Sequence, residues 1–344
     1  MALPKIVSLF SGAGGLDLGF YDTGYPIVLA VDNSSAAVKT HKRNFPTTAS
    51  IMADLAQLGP TGVLDHLKDL LIPGERIGVI GGPPCQGFSR ANTASVANDP
   101  RNELPLLYLE IVEALQARYD VQFVLFENVL GIRDAKHSTV FEGILSKFEQ
   151  IGFAAKAEKF SALDYGVPQT RNRIIISGFS DQLTAAAFLP IPVIGKDMTV
   201  RSVIGALPAP TFYSRGLLAT DIPHHENHWT MRPLSRRFSE QEHERRPSRC
   251  FRRLEWDKPS PTVAYGHREI HVHPDGRRRL SIYEAMLLQG FPSEFVLEGT
   301  LSAQVEQVSN AVPPPLARAL ADAIATAMSA ARFKAGSGER RLTA

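Results

Sequence analysis

The chain predicts an α/β protein: a mostly parallel, doubly wound sheet with helices on both faces, joined to a smaller and irregular second part. Three observations predict it. Short apolar runs alternate with helical patterns through residue 150, as βαβ units do. Glycine-rich turns follow two strand-like runs, at residues 11–15 and 81–87. After residue 178 the alternation stops. Prolines become frequent there (Pro190, Pro192, Pro208, Pro210, Pro223), and an arginine-rich window follows.

At 344 residues, 44% hydrophobic and 21% charged, the chain is an ordinary globular protein of about two domains. No apolar run approaches the roughly 20 residues that span a membrane. The N-terminus runs straight from Lys5 into a strand, without a signal peptide's plan. Cys85 and Cys250 are the two cysteines, too few for a disulfide framework, which fits a reducing cytoplasm. Net charge is +2, but residues 232–279 hold thirteen basic and seven acidic side chains, so that window carries +6 and the remainder −4. A basic segment on a slightly acidic body is a candidate polyanion-binding surface.

Residues 6–10 form the first strand. Ser11, Gly12, Ala13, Gly14, Gly15, Leu16 and Asp17 then open a helix. Glycines let a ligand approach the backbone, and free N–H groups at a helix start favour an anionic group. Residues 27–31 are the second strand, ending at Asp32, 20 residues after Gly12, the usual place for an acid that holds ribose hydroxyls. The pairing points to a nucleoside cofactor. Asp17 replaces the third glycine of the dinucleotide fingerprint, so NAD, S-adenosylmethionine and a plain tight turn all stay open.

Residues 34–44 read as a helix stopped by Pro46, 51–53 as a strand ending at Asp54, and 62–71 as a helix closed by Pro73 and Gly74. Residues 77–80 are a buried strand. Leu104, Leu107, Ile111 and Leu115 set a helical stripe over 104–117. Residues 121–126 form an apolar strand ending at Glu127, Asn128 and Val129. A carboxylate directly after such a strand is costly unless solvated, paired or used. Thr139 and Glu142 match a capping box, ahead of a helix that buries Phe141, Ile144, Leu145 and Phe148. Residues 153–160 and 173–179 add two strands. Between them Arg171 and Arg173 stand at period 2, on one side of an extended chain.

Chemistry centres on residues 81–89, Gly-Gly-Pro-Pro-Cys-Gln-Gly-Phe-Ser. The glycines turn the backbone at a strand end and the prolines stiffen it, which presents Cys85 on a rigid elbow. A free cysteine is usually a small buried hydrophobe, but a core does not need one held on a stiffened loop. Ligands in open α/β sheets bind outside the carboxyl ends of the strands. A thiol is only roughly 3% ionised at neutral pH, so a working nucleophile needs help from its surroundings. Further on, His224, His225 and His228 cluster without a cysteine or carboxylate to complete a metal set, and no metal is expected. Residues 282–289 form a helix. Pro313, Pro314 and Pro315 precede a long amphipathic helix whose stripe of Leu316, Leu320, Ile324 and Met328 is core packing.

Together these residues closely resemble the cytosine-5 DNA methyltransferase family, of bacterial type and dependent on S-adenosylmethionine. The resemblance spans nearly the whole chain. It is carried by Phe10 through Gly15, Asp32, Asp54, Pro83 through Ser89, Glu127-Asn128-Val129, Gln169, Arg171 and Arg173. It continues through Arg279-Leu280-Ser281 with Glu284, Gln289-Gly290-Phe291-Pro292, and Asn310-Ala311-Val312-Pro313. Two positions depart from the family: Ser309, where glycine is usual, and Tyr283, where arginine is common.

The resemblance implies a Rossmann-like methyltransferase sheet over 1–178, a target-recognition domain over 179–302, a segment returning to the catalytic domain over 303–333, and a disordered tail over 334–344. It implies that Cys85 adds to carbon 6 of a cytosine flipped out of duplex DNA. Glu127 would act at ring nitrogen 3, provided it has a proton to donate. Arg173 would hold the carbonyl oxygen, and Arg171 would position the sugar-phosphate. S-adenosylmethionine would be bound by Phe10, Ser11, Gly12, Gly14, Gly15, Leu16, Asp32, Asn33, Asp54, Leu55, Pro83, Leu104, Asn310 and Val312. Gln86, Ser89, Arg101, Arg252, Arg253 and Arg268 would meet DNA. A monomer, with a cognate restriction endonuclease acting separately, is expected. The rivals are an RNA cytosine-5 methyltransferase, a catalytically inactive DNA-binding relative and an NAD-dependent oxidoreductase. The last has no use for the Pro-Pro-Cys elbow or the arginine pair.

Overall fold

The computed structural model describes residues 2–84, 103–193, 195, 197–234, 238, 252–262, 264–265 and 269–339. Seven strands are β1 (Lys5–Leu9), β2 (Ile27–Asp32), β3 (Ala49–Met52), β4 (Arg76–Gly81), β5 (Asp120–Asn128), β6 (Ala154–Ser161) and β7 (Asn172–Phe179). They form one sheet in the order β3-β2-β1-β4-β5-β7-β6. The first five are parallel, and β7 runs antiparallel to both β5 and β6. The sheet is therefore mixed at one edge and doubly wound elsewhere.

The helices are α1 (Gly15–Asp22), α2 (Ser35–Asn44), α3 (Leu55–Leu67), α4 (Leu104–Gln116), α5 (Ser138–Gln150), α6 (Gln182–Ala187), α7 (Val200–Ile204), α8 (Ile282–Leu288), α9 (Leu301–Asn310) and α10 (Pro314–Glu339). Strand periodicity divides the sheet's side chains between two cores. Ile6, Phe123, Leu125 and Ile175 pack with Leu16 and Phe20 of α1 and Leu316, Leu320 and Ile324 of α10. Val7, Val124, Phe126 and Ile176 pack on the other face with residues of α3, α4 and α5. Burying each such side chain contributes about 1.5–3 kcal/mol. Close approach of α1 to α10 needs Gly19, where a Cβ would lie 2.3 Å from the Arg318 nitrogen.

Among the described residues, the irregular second part shares its core with the first. Leu254, Leu280, Ile282, Met286, Leu288 and Phe291 pack with Ala13, Leu18 and Phe45 from the first part. Helix α2 stitches the two together. Asn44 exchanges hydrogen bonds with the Val296 backbone, Thr40 donates to Gln307, and Arg43 pairs with Glu226 and Glu298. Within the second part, buried Glu284 completes a capping box with Ser281 and takes two 2.7 Å bonds from Arg278. Among the described residues its strands are only two short pairs, β8 (Thr211–Phe212) with β9 (Trp229–Thr230) and β10 (Ala264–Tyr265) with β11 (Glu269–Ile270).

Three elements differ from expectation. Helix α3 starts at Leu55, because Asp54 caps it by accepting from the Ala56 amide, and a break at Gly59, with φ 61°, separates its first turn from the stretch read in the sequence. Helix α5 starts at Ser138 with no side-chain cap, so Thr139 already lies inside it and forms no capping box. Helix α10 continues to Glu339, five residues past Lys334, where a tail was expected.

Candidate active site

The order of the sheet reverses direction between β1 and β4, and at such a switch point the strand ends leave a crevice. Both strands end at this crevice, with Leu9 paired to Gly81, and β4 in turn aligns Gly81 with Phe126 on β5. The elbow after β4 therefore meets the acid at the end of β5. A Cβ on Gly82 would lie 2.9 Å from Glu127 Oε2, and Asn128 Nδ2 donates to the Pro83 carbonyl at 3.4 Å. Cys85, Gln86, Ser89 and Arg101 lie outside the described residues, as does Arg268. The described chain ahead of Cys85 ends at Pro84, two residues after the Gly82 that lies beside Glu127.

Arg173 comes to Glu127 from β7, Nε to Oε1 at 2.7 Å. Antiparallel pairing of β5 with β7 brings this about, with Glu127 opposite Ile175. Both side chains are mostly buried, 14% and 11% exposed, so the pair keeps its charges apart from bulk water. Arg171 behaves differently. It is 0% exposed and donates from Nη1 to the Ser309 carbonyl at 2.8 Å and from Nη2 to the Asn310 carbonyl at 3.3 Å. Burial, then the neighbouring Arg173, pushes its guanidinium well below the usual range. Its terminal nitrogens are turned to backbone carbonyls.

On the other side of the crevice the chain leaves β1 through Phe10, a non-glycine residue at φ 54°. Such a conformation costs of order 1–3 kcal/mol and is typical of functional turns. Gly12 and Gly14 also take positive φ, and a Cβ on Gly12 would meet nothing within 4 Å, so open space lies over it. No side chain caps α1 at Gly14, which leaves its first N–H groups for a ligand. Asp32 accepts from the Gly12 amide at 2.8 Å and from the Ser34 amide at 2.8 Å. Burial raises its pKa, opposed by those two hydrogen bonds. The cradle fits an adenosine with an anionic tail: an uncapped helix start, clearance over glycine and a carboxylate with lone pairs left over.

Asn33 and Asp54 are exposed at the ends of β2 and β3, and Leu55 and Leu16 are buried in the two cores. Pro83 stands at the elbow, and Leu104 begins α4. Asn310 closes α9, and Val312 packs on Gly15. Arg252 and Arg253 are exposed in the second part, although Arg253 Nε already donates to the Pro274 carbonyl. The two departures have structural accounts. Ser309 lies in the last turn of α9, whose backbone asks for no glycine. Tyr283 stacks on His225 at 4.1 Å, with His224 and His228 edge-on, and this packing employs the histidine cluster. Sequence alone gave no role to Gln169 or Gln289. They form a fully buried pair at 2.7 Å. It also missed Tyr108, whose buried hydroxyl lies within hydrogen-bond distance of the Val79 and Leu125 carbonyls and ties α4 to β4 and β5.

Residues 4–326 match the profile of the C-5 cytosine-specific DNA methylase family. The chain belongs to that family. Its activity is DNA cytosine-5 methylation. Among similar curated proteins, the Type II methyltransferase M1.HphI of Haemophilus parahaemolyticus is 34% identical over 335 residues, covering 92% of this chain and 86% of the relative. M.MthTI of Methanothermobacter thermautotrophicus is 33% identical over 344 residues, covering 93% and 96%. A putative prophage-encoded DNA modification methyltransferase from E. coli superposes with a TM-score of 0.70 at 25% identity, over 95% of this chain and 100% of that one. A DNMT2 structure from Spodoptera frugiperda, 19% identical with a TM-score of 0.62, covering 94% and 99%, shares the methylase's fold. No described helix of the methylase is long and apolar enough to cross a membrane.

Proposed function

We propose that the methylase modifies cytosine in duplex DNA through Cys85, Glu127 and Arg173. The observation that supports this most is the meeting of the Gly82–Pro83 turn with Asn128 and the Arg173-paired Glu127, across the crevice from the uncapped start of α1. A cytosine in a duplex cannot reach that crevice, so the base is flipped, at a cost of a few kcal/mol. Cys85, as thiolate, forms a bond to carbon 6, which breaks aromaticity and makes carbon 5 enamine-like. A proton taken up from solvent and shared between Glu127 and ring nitrogen 3 relieves the negative charge that builds there. Arg173 holds the base's carbonyl oxygen while fixing Glu127. When bound, S-adenosylmethionine supplies an electrophilic methyl group to carbon 5. A base then removes the carbon-5 proton, and Cys85 departs with the pair of electrons from its bond to carbon 6.

For the cofactor, the start of α1 would receive the carboxylate, Asp32 the ribose hydroxyls and Asp54 the adenine edge. Asp32 accepts best when ionised. Because its pKa is raised by burial, affinity for S-adenosylmethionine should fall on acidification at a pH above the 3.8 of an ordinary aspartate. Calorimetric titrations across pH would show this fall in wild type and its loss in Asp32→Asn. Equal pH profiles in the two would remove Asp32 from the site.

The basic second part, including Arg252 and Arg253, would face DNA, with phosphate contacts positioning the protein and base-edge contacts specifying its site. The methylase would act as a monomer on cytoplasmic DNA, alongside a separate restriction endonuclease, as Type II systems pair the two activities. Bisulfite sequencing of DNA from cells expressing the chain tests the reading. Methylated cytosine at one recurring sequence is the expected result. Unmodified DNA together with methylated tRNA would favour the RNA enzyme instead.

A further inference from the structure

Helix α9 ends at Asn310, and Ala311 leaves the helix with ψ 137°. Had it continued, the carbonyls of Ser309, Asn310 and Ala311 would accept from the amides of residues 313, 314 and 315. All three are prolines and carry no N–H. The structure supplies other donors for each carbonyl. Arg171 Nη1 lies 2.8 Å from the Ser309 oxygen and Nη2 lies 3.3 Å from that of Asn310. Gln289 Nε2 donates to the Ala311 carbonyl at 2.6 Å. Gln169 Nε2 in turn donates to Gln289 Oε1 at 2.7 Å, which fixes which end of the Gln289 amide points at Ala311. Arg171, Gln169 and Gln289 are all 0% exposed.

A cation at a helix C-terminus also suits the helix dipole. The Ala311 carbonyl is buried, and left without a donor it would cost about 1–3 kcal/mol; those of Ser309 and Asn310 are partly buried. The segment held in this way is the wall of the cofactor crevice. A Cβ on Gly15, the first residue of α1, would lie 2.5 Å from the Val312 oxygen and 3.0 Å from Ala311 Cβ. Any slack in residues 311–312 would be felt at the helix start proposed to receive the cofactor's anionic tail.

We propose that Arg171 and Gln289 are positioning residues for the cofactor site. They replace the amide donors that the Pro313–Pro315 run lacks and so press residues 311–312 against Gly15. Arg171 then acts through backbone on cofactor binding, not through phosphate on DNA. The assignment of the crevice to S-adenosylmethionine rests on the function proposed above.

Full-length Arg171→Lys, which keeps the charge but loses the fork, and Gln289→Met, which keeps the length but loses the donor, test this. Equilibrium binding of S-adenosylmethionine and of S-adenosylhomocysteine would be measured by calorimetry, and DNA affinity by titration at several salt concentrations. Loss of one such hydrogen bond should weaken cofactor binding by roughly tenfold or more. DNA affinity and its salt slope should stay as in wild type. For Gln289→Met, KM for the cofactor should rise far more than kcat falls. In wild type, amide hydrogen exchange over residues 303–312 should slow when S-adenosylhomocysteine binds, a readout that does not depend on either variant folding. Unchanged cofactor affinity in the folded variants, or exchange indifferent to S-adenosylhomocysteine, would overturn the proposal. So would an Arg171→Lys protein with weaker DNA binding, a flatter salt slope and normal cofactor affinity, since that pattern belongs to a phosphate contact. A wild-type protein that binds neither cofactor form would instead overturn the functional reading beneath it.

Discussion

Cys85→Ala is expected to lose methyl transfer by roughly four orders of magnitude or more, because removing a covalent nucleophile leaves only the contribution of binding and charge stabilisation. Carbon 5 of cytosine is a poor nucleophile while the ring is aromatic. In the proposed reaction Cys85 is the group that adds to carbon 6. The elbow that delivers Cys85 is made without its thiol: Gly82 passes Glu127 with no room for a side chain, and Asn128 holds the Pro83 carbonyl. The variant should therefore fold and bind DNA. Single-turnover transfer of a radiolabelled methyl group, measured beside DNA affinity, checks both halves. A variant keeping a tenth of the wild-type rate would remove Cys85 from the chemistry.

Glu127→Gln comes next in size, with an expected loss of about 10²–10⁴ in kcat, the range for a positioned acid or base. Glutamine keeps the shape of Glu127 and a contact for Arg173 Nε, now 2.7 Å from a carboxylate oxygen. What it loses is the charge and the ability to hold and return a proton at nitrogen 3. DNA binding should change by less than about tenfold, since only one hydrogen-bonded contact is altered. Equal losses in methyl transfer and in DNA affinity would mean that Glu127 serves the structure rather than the reaction.

The parts that could be read from the sequence were those whose partners are close in the chain or repeat with a period. Strand and helix alternation gave the sheet, and the glycines around Ser11 with Asp32 marked the crevice, because both are local signals of backbone shape. The antiparallel insertion of β7 between β5 and β6 was not legible, since strand order is a long-range property. Nor were the partners of Arg171. Its period-2 spacing with Arg173 suggested a shared task, but one guanidinium pairs with Glu127 and the other reaches carbonyls 138 and 139 residues away. The basic window shows the same limit. Charge counting treated Arg278 as available to DNA, whereas it is committed to buried Glu284. Composition reports how many charges a segment has, and folding decides how many are spent internally.

Duplex DNA carrying 5-fluorocytosine at the recognised site is the most direct probe of the central claim, because fluorine at carbon 5 cannot leave as the proton does. Incubated with the methylase and S-adenosylmethionine, it should give a covalent complex stable to denaturing electrophoresis, and mass spectrometry should map the linkage to Cys85. An active wild-type enzyme that forms no adduct, or an adduct that persists in Cys85→Ala, would contradict the account.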